Sequence, residues 1–251
     1  MTAKEINTVD QQTKTALKHD QFVDTTTHGI EWASQHRRSV ITSSLILLGV
    51  VLIAVGGFVF YNNRSQAASV AFGDAIASYQ APIAQSGQPI PVGMKTYNST
   101  TERAKAANAL FLAAADKYGM TPAGRNALYF AGLTYVEAGE NASAESTLKK
   151  VGDSWDSDLA SLGKLALAQL YRQTGRGPQA IEIYNQLTAK PTTTVPAGLA
   201  QIQLAELYED QHQPDAAKKI YAQLKDKDAK GAAGTLAAQK LNPAPAAPVQ
   251  Q

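Results

Sequence analysis

The hydrophobic pattern of the chain has two parts, an uninterrupted apolar run and a later series of amphipathic segments. The run covers residues 39–61, which carry no charged side chain, and no polar side chain occurs from Leu45 to Phe60. About 20 helical residues cross the roughly 30 Å hydrocarbon core of a bilayer. We therefore predict a transmembrane helix over residues 39–61, with Phe60 and Tyr61 at a membrane interface.

Two other interpretations of this apolar run fit the sequence less well. A buried core helix rarely extends this far without a polar face. A cleaved signal peptide has an apolar core of about 7–15 residues close to the N-terminus, whereas 38 residues precede this run. Residues 65–67 (Ser-Gln-Ala) do have the small-x-small form of a cleavage site. Cleavage therefore stays the alternative to an uncleaved anchor.

The basic residues on either side of the run predict its orientation. Residues 36–38 (His-Arg-Arg) precede it directly, whereas Arg64 is the only Lys or Arg between the run and Lys95. Because cytoplasmic flanks are enriched in Lys and Arg, we expect residues 1–38 to form a largely flexible cytoplasmic tail, with a helix within it over 20–35. The chain from residue 62 onward is then outside. In a bacterium this describes a single-pass protein of the inner membrane with a periplasmic domain.

Beyond residue 100 the amphipathic segments repeat. Three stretches align without gaps, and their central tyrosines are 36 and 37 residues apart. Each has a small residue (Gly132, Ala168, Ala205), a tyrosine three positions later (Tyr135, Tyr171, Tyr208), an alanine nine after the tyrosine (Ala144, Ala180, Ala217) and a Leu or Tyr thirteen after it (Leu148, Tyr184, Tyr221). Apolar residues recur at intervals of three and four, which is typical of amphipathic helices. Gly, Asn and Pro midway through each stretch predict the turn of a helical hairpin.

Weaker copies of the pattern flank these three hairpins. Ala107 and Phe111 repeat the spacing of the second helix, which predicts an earlier hairpin whose first helix lies near residues 69–84. Residues 231–241 predict a capping helix, followed by a disordered Pro/Ala tail over 242–251. The predicted fold class is all-α, with one N-terminal transmembrane helix followed by stacked helical hairpins over residues 62–241, because a single hairpin cannot bury its apolar face.

The repeated pattern of a small residue, Tyr, Ala and then an aromatic residue or Leu resembles the tetratricopeptide repeat (TPR) over residues 128–224. The resemblance implies a TPR-like helical-hairpin solenoid whose first helices line a groove for a peptide or unfolded segment. Transferred to this sequence, the groove positions are Asn126, Tyr129, Leu133, Leu165, Gln169, Arg172, Gln173, Ile202, Glu206, Glu209 and Asp210. The groove is expected to change from apolar, through basic and polar, to acidic. The consensus tryptophan is replaced by Leu128, Lys164 and Gln201.

The layout of the whole chain resembles a second family. A short cytoplasmic tail, one span and a periplasmic repeat domain are similar to the YfgM-like ancillary subunits of the SecYEG translocon. This resemblance implies a protein that binds translocon subunits and links emerging chains to periplasmic chaperones. The alternative is a scaffold for a cell-envelope assembly or cell-division complex. Thr42, Gly49 and Gly56 recur every seven residues on one face of the span, where small residues permit contact with another membrane helix.

Composition excludes several classes of function. A net charge of +2 argues against a protein that binds nucleic acid by neutralising phosphates. The chain has no cysteine, which excludes thiol catalysis and Cys-ligated zinc. The histidines at 19, 28, 36 and 212 lack metal-ligand spacing, and the acidic stretch 153–158 is interpreted as helix capping rather than a calcium loop. We therefore expect no enzyme activity, no cofactor or metal and no small-molecule substrate.

Overall fold

The computed structural model describes residues 35–84 and 95–242, and this part of the chain is helical, without a strand. Its helices are α1 (Arg37–Tyr79), α2 (Thr100–Tyr118), α3 (Pro122–Glu137), α4 (Asn141–Gly152), α5 (Ser157–Gln173), α6 (Gly177–Ala189), α7 (Ala197–Asp210), α8 (Pro214–Lys227) and α9 (Ala232–Leu241). The prediction of an all-α protein is confirmed for these residues. The predicted helix over residues 20–35 and the predicted Pro/Ala tail lie outside them, apart from residues 35 and 242.

The chain divides into two compact units, one up to Asn62 and one from Asn63 onward. In the first unit, the described residues belong to α1, which is long and apolar enough to cross a membrane. Among the described residues of this unit, the large apolar side chains other than the half-buried Val40 are exposed, from 47% for Val51 to 77% for Ile53. Such a surface is unfavourable in water and is expected where lipid covers a helix.

In the second unit, short side chains and prolines define where the helices begin. Ser99 caps α2 by accepting a hydrogen bond from the backbone N–H of Glu102 at 3.1 Å. Glu102 accepts one in return from the backbone N–H of Asn98 at 2.9 Å. Thr121 caps α3 by accepting from the N–H of Gly124 at 3.2 Å. Each cap satisfies an N–H that the helix itself leaves without a partner.

The turn inside each of the three repeated hairpins has the same geometry. The residues in the left-handed region are Gly139 (φ 77°), Gly175 (φ 73°) and His212 (φ 58°). The N–H groups of the residues that follow, Glu140, Arg176 and Gln213, donate to the carbonyls of Tyr135, Tyr171 and Tyr208 at 2.9, 2.8 and 2.8 Å. This is the six-to-one bond of a Schellman motif. The predicted hairpin turns are therefore confirmed. In the third turn, His212 occupies the position that glycine occupies in the other two.

Packing in the second unit follows the predicted small-residue positions. Consecutive helices from α2 to α9 pack against each other, and α3 also contacts α5 as α7 contacts α9. Three of the four repeated positions are buried in every hairpin: Gly132, Ala168, Ala205, Ala144, Ala180, Ala217, Leu148, Tyr184 and Tyr221. Of the repeated tyrosines, Tyr171 is buried, whereas Tyr135 and Tyr208 are half-buried. A Cβ added at Gly132 would lie 2.5 Å from Cδ2 of Leu148. The predicted helix–helix seam is thus a close approach of α3 and α4.

The earlier hairpin differs from its prediction. Ala107 and Phe111 are fully buried, as the spacing indicates, and Phe111 packs on Phe72 and Phe130 at centroid distances of 5.8 and 5.3 Å. Its first helix, however, ends at Tyr79 and not at residue 84. Pro82 explains the early end, because a proline disfavours helical backbone at the residue before it and has no N–H to donate.

Candidate partner-binding surface

The predicted groove residues lie on α3, α5 and α7, the first helices of the three hairpins. Asn126, Gln173, Glu209 and Asp210 are exposed, whereas Tyr129, Leu133, Leu165, Gln169, Arg172 and Glu206 are half-buried. Ile202 is only 4% exposed and packs with Ala205, Tyr221 and Leu224 in the core. The prediction of Ile202 as a partner contact is therefore corrected, since α8 and α9 cover its side chain.

The apolar part of the surface is the outer edge of a core cluster. Tyr129, Leu133 and Leu165 are partly buried and pack against the cluster that contains Leu148 and Leu167. The Tyr129 ring lies edge-on to Phe130 with 5.6 Å between centroids, and burial raises the pKa of the Tyr129 phenol. These side chains are held by the core and expose one face, so they offer a partner rigid apolar contacts.

The basic and acidic parts of the surface are joined by ion pairs. The Arg172 guanidinium on α5 donates from Nε to Asp210 at 2.5 Å, and its Nη1 lies 3.5 Å from Glu206; both carboxylates are on α7. Lys240 on α9 continues the series, with its Nζ 3.3 Å from Glu209 and 3.9 Å from Glu206. We call these five residues the ionic ladder. It connects helices α5, α7 and α9.

The ionic ladder changes the predicted charge gradient. Two cations, Arg172 and Lys240, face three carboxylates, so the ladder has a net charge of −1 and the C-terminal part of the surface is less acidic than predicted. The nearby carboxylates, Asp210 first, raise the pKa of Arg172 further, which keeps it charged. Lys240 was not among the predicted residues. Sequence offers little signal for it, because its role depends on where α9 packs.

Two buried phenols lie near the ladder. Tyr184 and Tyr221 are 0% and 1% exposed, and neither hydroxyl has a hydrogen-bond partner among the described residues. Burial raises the pKa of Tyr184 to about 12 and raises the pKa of Tyr221 as well. Both phenols are therefore neutral at physiological pH, and they act as core side chains.

A second charged cluster joins α4 to the next hairpin. Glu145 accepts hydrogen bonds from Lys149 at 2.7 Å, from Arg176 at 2.7 Å and from the Tyr171 hydroxyl at 3.0 Å. These donors hold the pKa of the Glu145 carboxyl at about 2, below its ordinary value of 4.5. The Arg176 guanidinium also lies 4.2 Å from the Tyr171 ring centroid. Each of these four residues contacts another member of the cluster. The cluster therefore links α4 to the next hairpin and has a structural role.

The predicted contact face of α1 is open in the part of the chain that the structure describes. The Thr42 hydroxyl bonds within its own helix, to the carbonyls of Arg38 at 2.6 Å and Ser39 at 3.0 Å. A Cβ added at Gly49 or Gly56 would meet no atom within 4 Å. Thr42 needs no outside partner for its hydrogen bond, so a helix packing here would meet a smooth, apolar surface.

Residues with potential for catalysis or metal binding are scattered. Within residues 35–84 and 95–242, no group of three or more His, Asp or Glu side chains could hold a metal ion. Asp156 of the acidic stretch caps α5 by accepting from the N–H of Leu159 at 3.2 Å, as predicted. His212 is an exposed turn residue, and His19 and His28 lie outside the described residues.

Two cavities at the connections between hairpins were not predicted. One, of about 660 Å³, is lined by residues that include Trp155, Lys164 and Lys190. The other, of about 830 Å³, is lined mainly by apolar residues of α7 to α9 such as Leu199 and Leu236. Their volumes match those of small-molecule pockets, but no set of catalytic groups converges on either one in the part of the chain that the structure describes. In comparisons with known proteins, no family model, no curated protein and no solved structure matches this chain.

Proposed function

We propose that this protein is a membrane-anchored, non-catalytic repeat protein that binds other proteins through its helical hairpins. The observation that carries the proposal is the equivalence of the three hairpins. Gly139, Gly175 and His212 adopt one turn geometry, and the tyrosine carbonyls accept the same hydrogen bond in each. The contact of α3 with α5 supports a TPR-like stack, since stacking brings the first helices of neighbouring hairpins together. The capping helix α9 packs on α7, the first helix of the third hairpin.

Anchoring is supported by the exposed apolar surface of α1 and by its hydropathy. The asymmetry of Lys and Arg around residues 39–61 supports a cytoplasmic N-terminus and a periplasmic repeat domain. Retention of the anchor is supported by residues 65–67, the candidate cleavage site. They lie inside α1, and the next residue, Ala68, is fully buried.

Within this framework, the task that we propose is assistance to the Sec translocon at the periplasmic face of the inner membrane. The protein would link emerging chains to chaperones. Support comes from the chain layout, which resembles the ancillary subunits of the translocon, and from the rigid apolar contacts of Tyr129, Leu133 and Leu165. Unfolded segments present apolar side chains along an extended backbone, which is the chemistry that such a surface can bind.

Site-specific photocrosslinking of the full-length chain in native membranes tests this proposal. Benzoylphenylalanine replaces Gln173 or Asn126, which are exposed on first helices, and in a matched control it replaces Asn185, which is exposed on the second helix α6. We expect crosslinks from Gln173 and Asn126, but not from Asn185, to translocon subunits, nascent chains or periplasmic chaperones. Crosslinks to cell-division or envelope-assembly proteins would replace the translocon assignment with the scaffold alternative.

Topology is tested separately with alkaline phosphatase fused after Gln251. We expect enzyme activity, because the phosphatase folds only in an oxidising compartment such as the periplasm. An inactive fusion that is expressed at the same level would contradict the orientation, and with it the translocon assignment.

A further inference from the structure

The C-terminal end of α2 contacts Arg64, the second residue of the second unit. The Arg64 guanidinium donates a hydrogen bond to the carbonyl of Lys117 and lies 5.6 Å from the ring centroid of Tyr118. Arg64 follows the apolar run by three residues, since the run ends at Tyr61. With residues 39–61 in a bilayer, a residue so close to the run lies at the headgroup level. The loop after α2 is then held near the membrane surface.

This loop and the connection between α4 and α5 carry the most exposed large apolar side chains. Met120 is 86% exposed and Trp155 is 81% exposed, more than any other large apolar side chain among the described residues. Trp155 is one of only two tryptophans in the chain. Exposing a tryptophan to water is unfavourable, and its amphipathic ring is enriched at membrane interfaces.

Arg125 contacts the backbone of Met120 and the ring of Trp155. Its Nη1 donates to the Met120 carbonyl at 3.1 Å, and its guanidinium carbon lies 4.5 Å from the Trp155 ring centroid. Its Nη2 also lies 3.8 Å from Asp156. A cavity of about 310 Å³ is lined by Asp116, Gly119, Arg125 and Lys150 among others, so the ends of α2 and α4 and the start of α3 meet there.

We propose that Met120 and Trp155 form a membrane-contact patch that rests in the headgroup layer of the bilayer. The inference depends on the proposed anchor, because only the anchor places Arg64 at the membrane. The exposed charges around the patch are nearly balanced, with Arg64, Lys117 and Lys150 against Asp116 and Asp153, a net charge of +1. Contact therefore depends on the apolar side chains and not on anionic lipid.

Tryptophan quenching in vesicles tests the patch. The full-length Trp32→Phe variant keeps Trp155 as its single tryptophan and is reconstituted into phosphatidylcholine vesicles, with and without brominated acyl chains. A matched control carries Trp32→Phe, Trp155→Phe and Leu236→Trp, which places the reporter on α9. Flotation of the vesicles measures anchoring independently. A second reporter, Met120→Trp combined with Trp32→Phe and Trp155→Phe, probes the other half of the patch.

We expect brominated lipid to lower the fluorescence of Trp155 by about twofold or more relative to the Leu236→Trp reporter, with a similar effect for Met120→Trp. Vesicles that float with the protein but leave Trp155 unquenched would overturn the patch and leave the anchor intact. Acrylamide, a quencher dissolved in the water, gives a further measurement. If Trp155 were protected from acrylamide but not quenched by brominated lipid, the patch would be overturned too, because a protein would then cover the site. Failure to float would overturn the anchor, and the patch with it.

Discussion

Replacing Gly132 with alanine tests the helix–helix seam on which the hairpin register depends. The added Cβ would lie 2.5 Å from Cδ2 and 2.9 Å from Cγ of Leu148, which is fully buried in the same core. Contacts this short cannot persist, so Leu148 or the backbone of α4 has to move. Overpacking of this kind costs about 1–3 kcal/mol, whereas the gain in helix propensity from Gly to Ala is about 0.5–1 kcal/mol. The expected net loss of stability is about 0–2.5 kcal/mol, with a central value of about 1 kcal/mol.

The matched control is Gly73→Ala. Gly73 is exposed in α1 within the second unit, and a Cβ there would meet no atom within 4 Å. This control keeps the propensity gain without the clash, so it should stabilise the protein by about 0.5–1 kcal/mol. A third variant, Leu148→Val, removes Cδ2, the atom of the shorter contact, and keeps a carbon at the γ position. In the Leu148→Val variant, the loss in free energy of unfolding caused by Gly132→Ala should be smaller than in the wild type by at least about 0.5 kcal/mol.

The assay is thermal unfolding of the full-length chain in mild detergent, followed by circular dichroism at 222 nm. For a domain of this size, 1 kcal/mol shifts the melting temperature by about 2–4 °C, so Gly132→Ala should melt several degrees lower and Gly73→Ala slightly higher. If Gly132→Ala melted at least as high above the wild-type temperature as Gly73→Ala, or if Leu148→Val did not reduce its effect, the close approach of α3 and α4 would be refuted.

Three other substitutions address single interactions, each measured by equilibrium denaturation. His212→Gly should stabilise the protein by about 0.5–1 kcal/mol, since glycine adopts φ 58° without strain; Gln213→Gly at φ −113° is the control, and a destabilised His212→Gly variant would contradict the reasoning. Because the pKa of Glu145 is lowered from 4.5 to about 2, its ion pairs stabilise the fold above pH 4.5 and lose this effect as the pH falls towards 2. Glu145→Gln should therefore lower the free energy of unfolding by about 1–2 kcal/mol at pH 7, after solvent screening is allowed for. This loss should become smaller as the pH falls from 4.5 towards 2, and a loss that stays constant would refute the role of the ion pairs. Tyr184→Phe removes a buried hydroxyl without a partner among the described residues, so stability should stay equal or rise by up to about 1 kcal/mol; a loss above that amount would reveal a hydrogen bond to this hydroxyl.

The hairpins were predictable because their signals are local. A left-handed turn needs a residue that tolerates positive φ, and Gly139 and Gly175 mark two such turns directly. His212 lies at the same step of the repeat, so its conformation follows from alignment alone. The buried small residues are also visible in the sequence, since Ala168 and Ala205 occupy the same position of successive repeats.

The surface was harder to predict, because it depends on how separate helices pack. Arg172 and Glu206 are 34 residues apart, and so are Arg103 and Glu137, which lie 2.7 Å apart on α2 and α3. This fixed spacing of opposite charges is present in the sequence and could have predicted these ion pairs. No such rule reaches Lys240 or the burial of Ile202, since both follow from the placement of the last two helices.

The ionic ladder determines what a partner can gain from this surface. A partner that brings cations to Glu206 or Asp210 has to replace Arg172, which already donates to Asp210 at 2.5 Å, so the exchange yields little net energy. Tyr129, Leu133 and Leu165 have no such internal competitor on their exposed faces. Recognition through the first helices should therefore depend on apolar side chains at the N-terminal hairpins. The ladder would keep the C-terminal hairpins in register, and binding should depend only weakly on ionic strength.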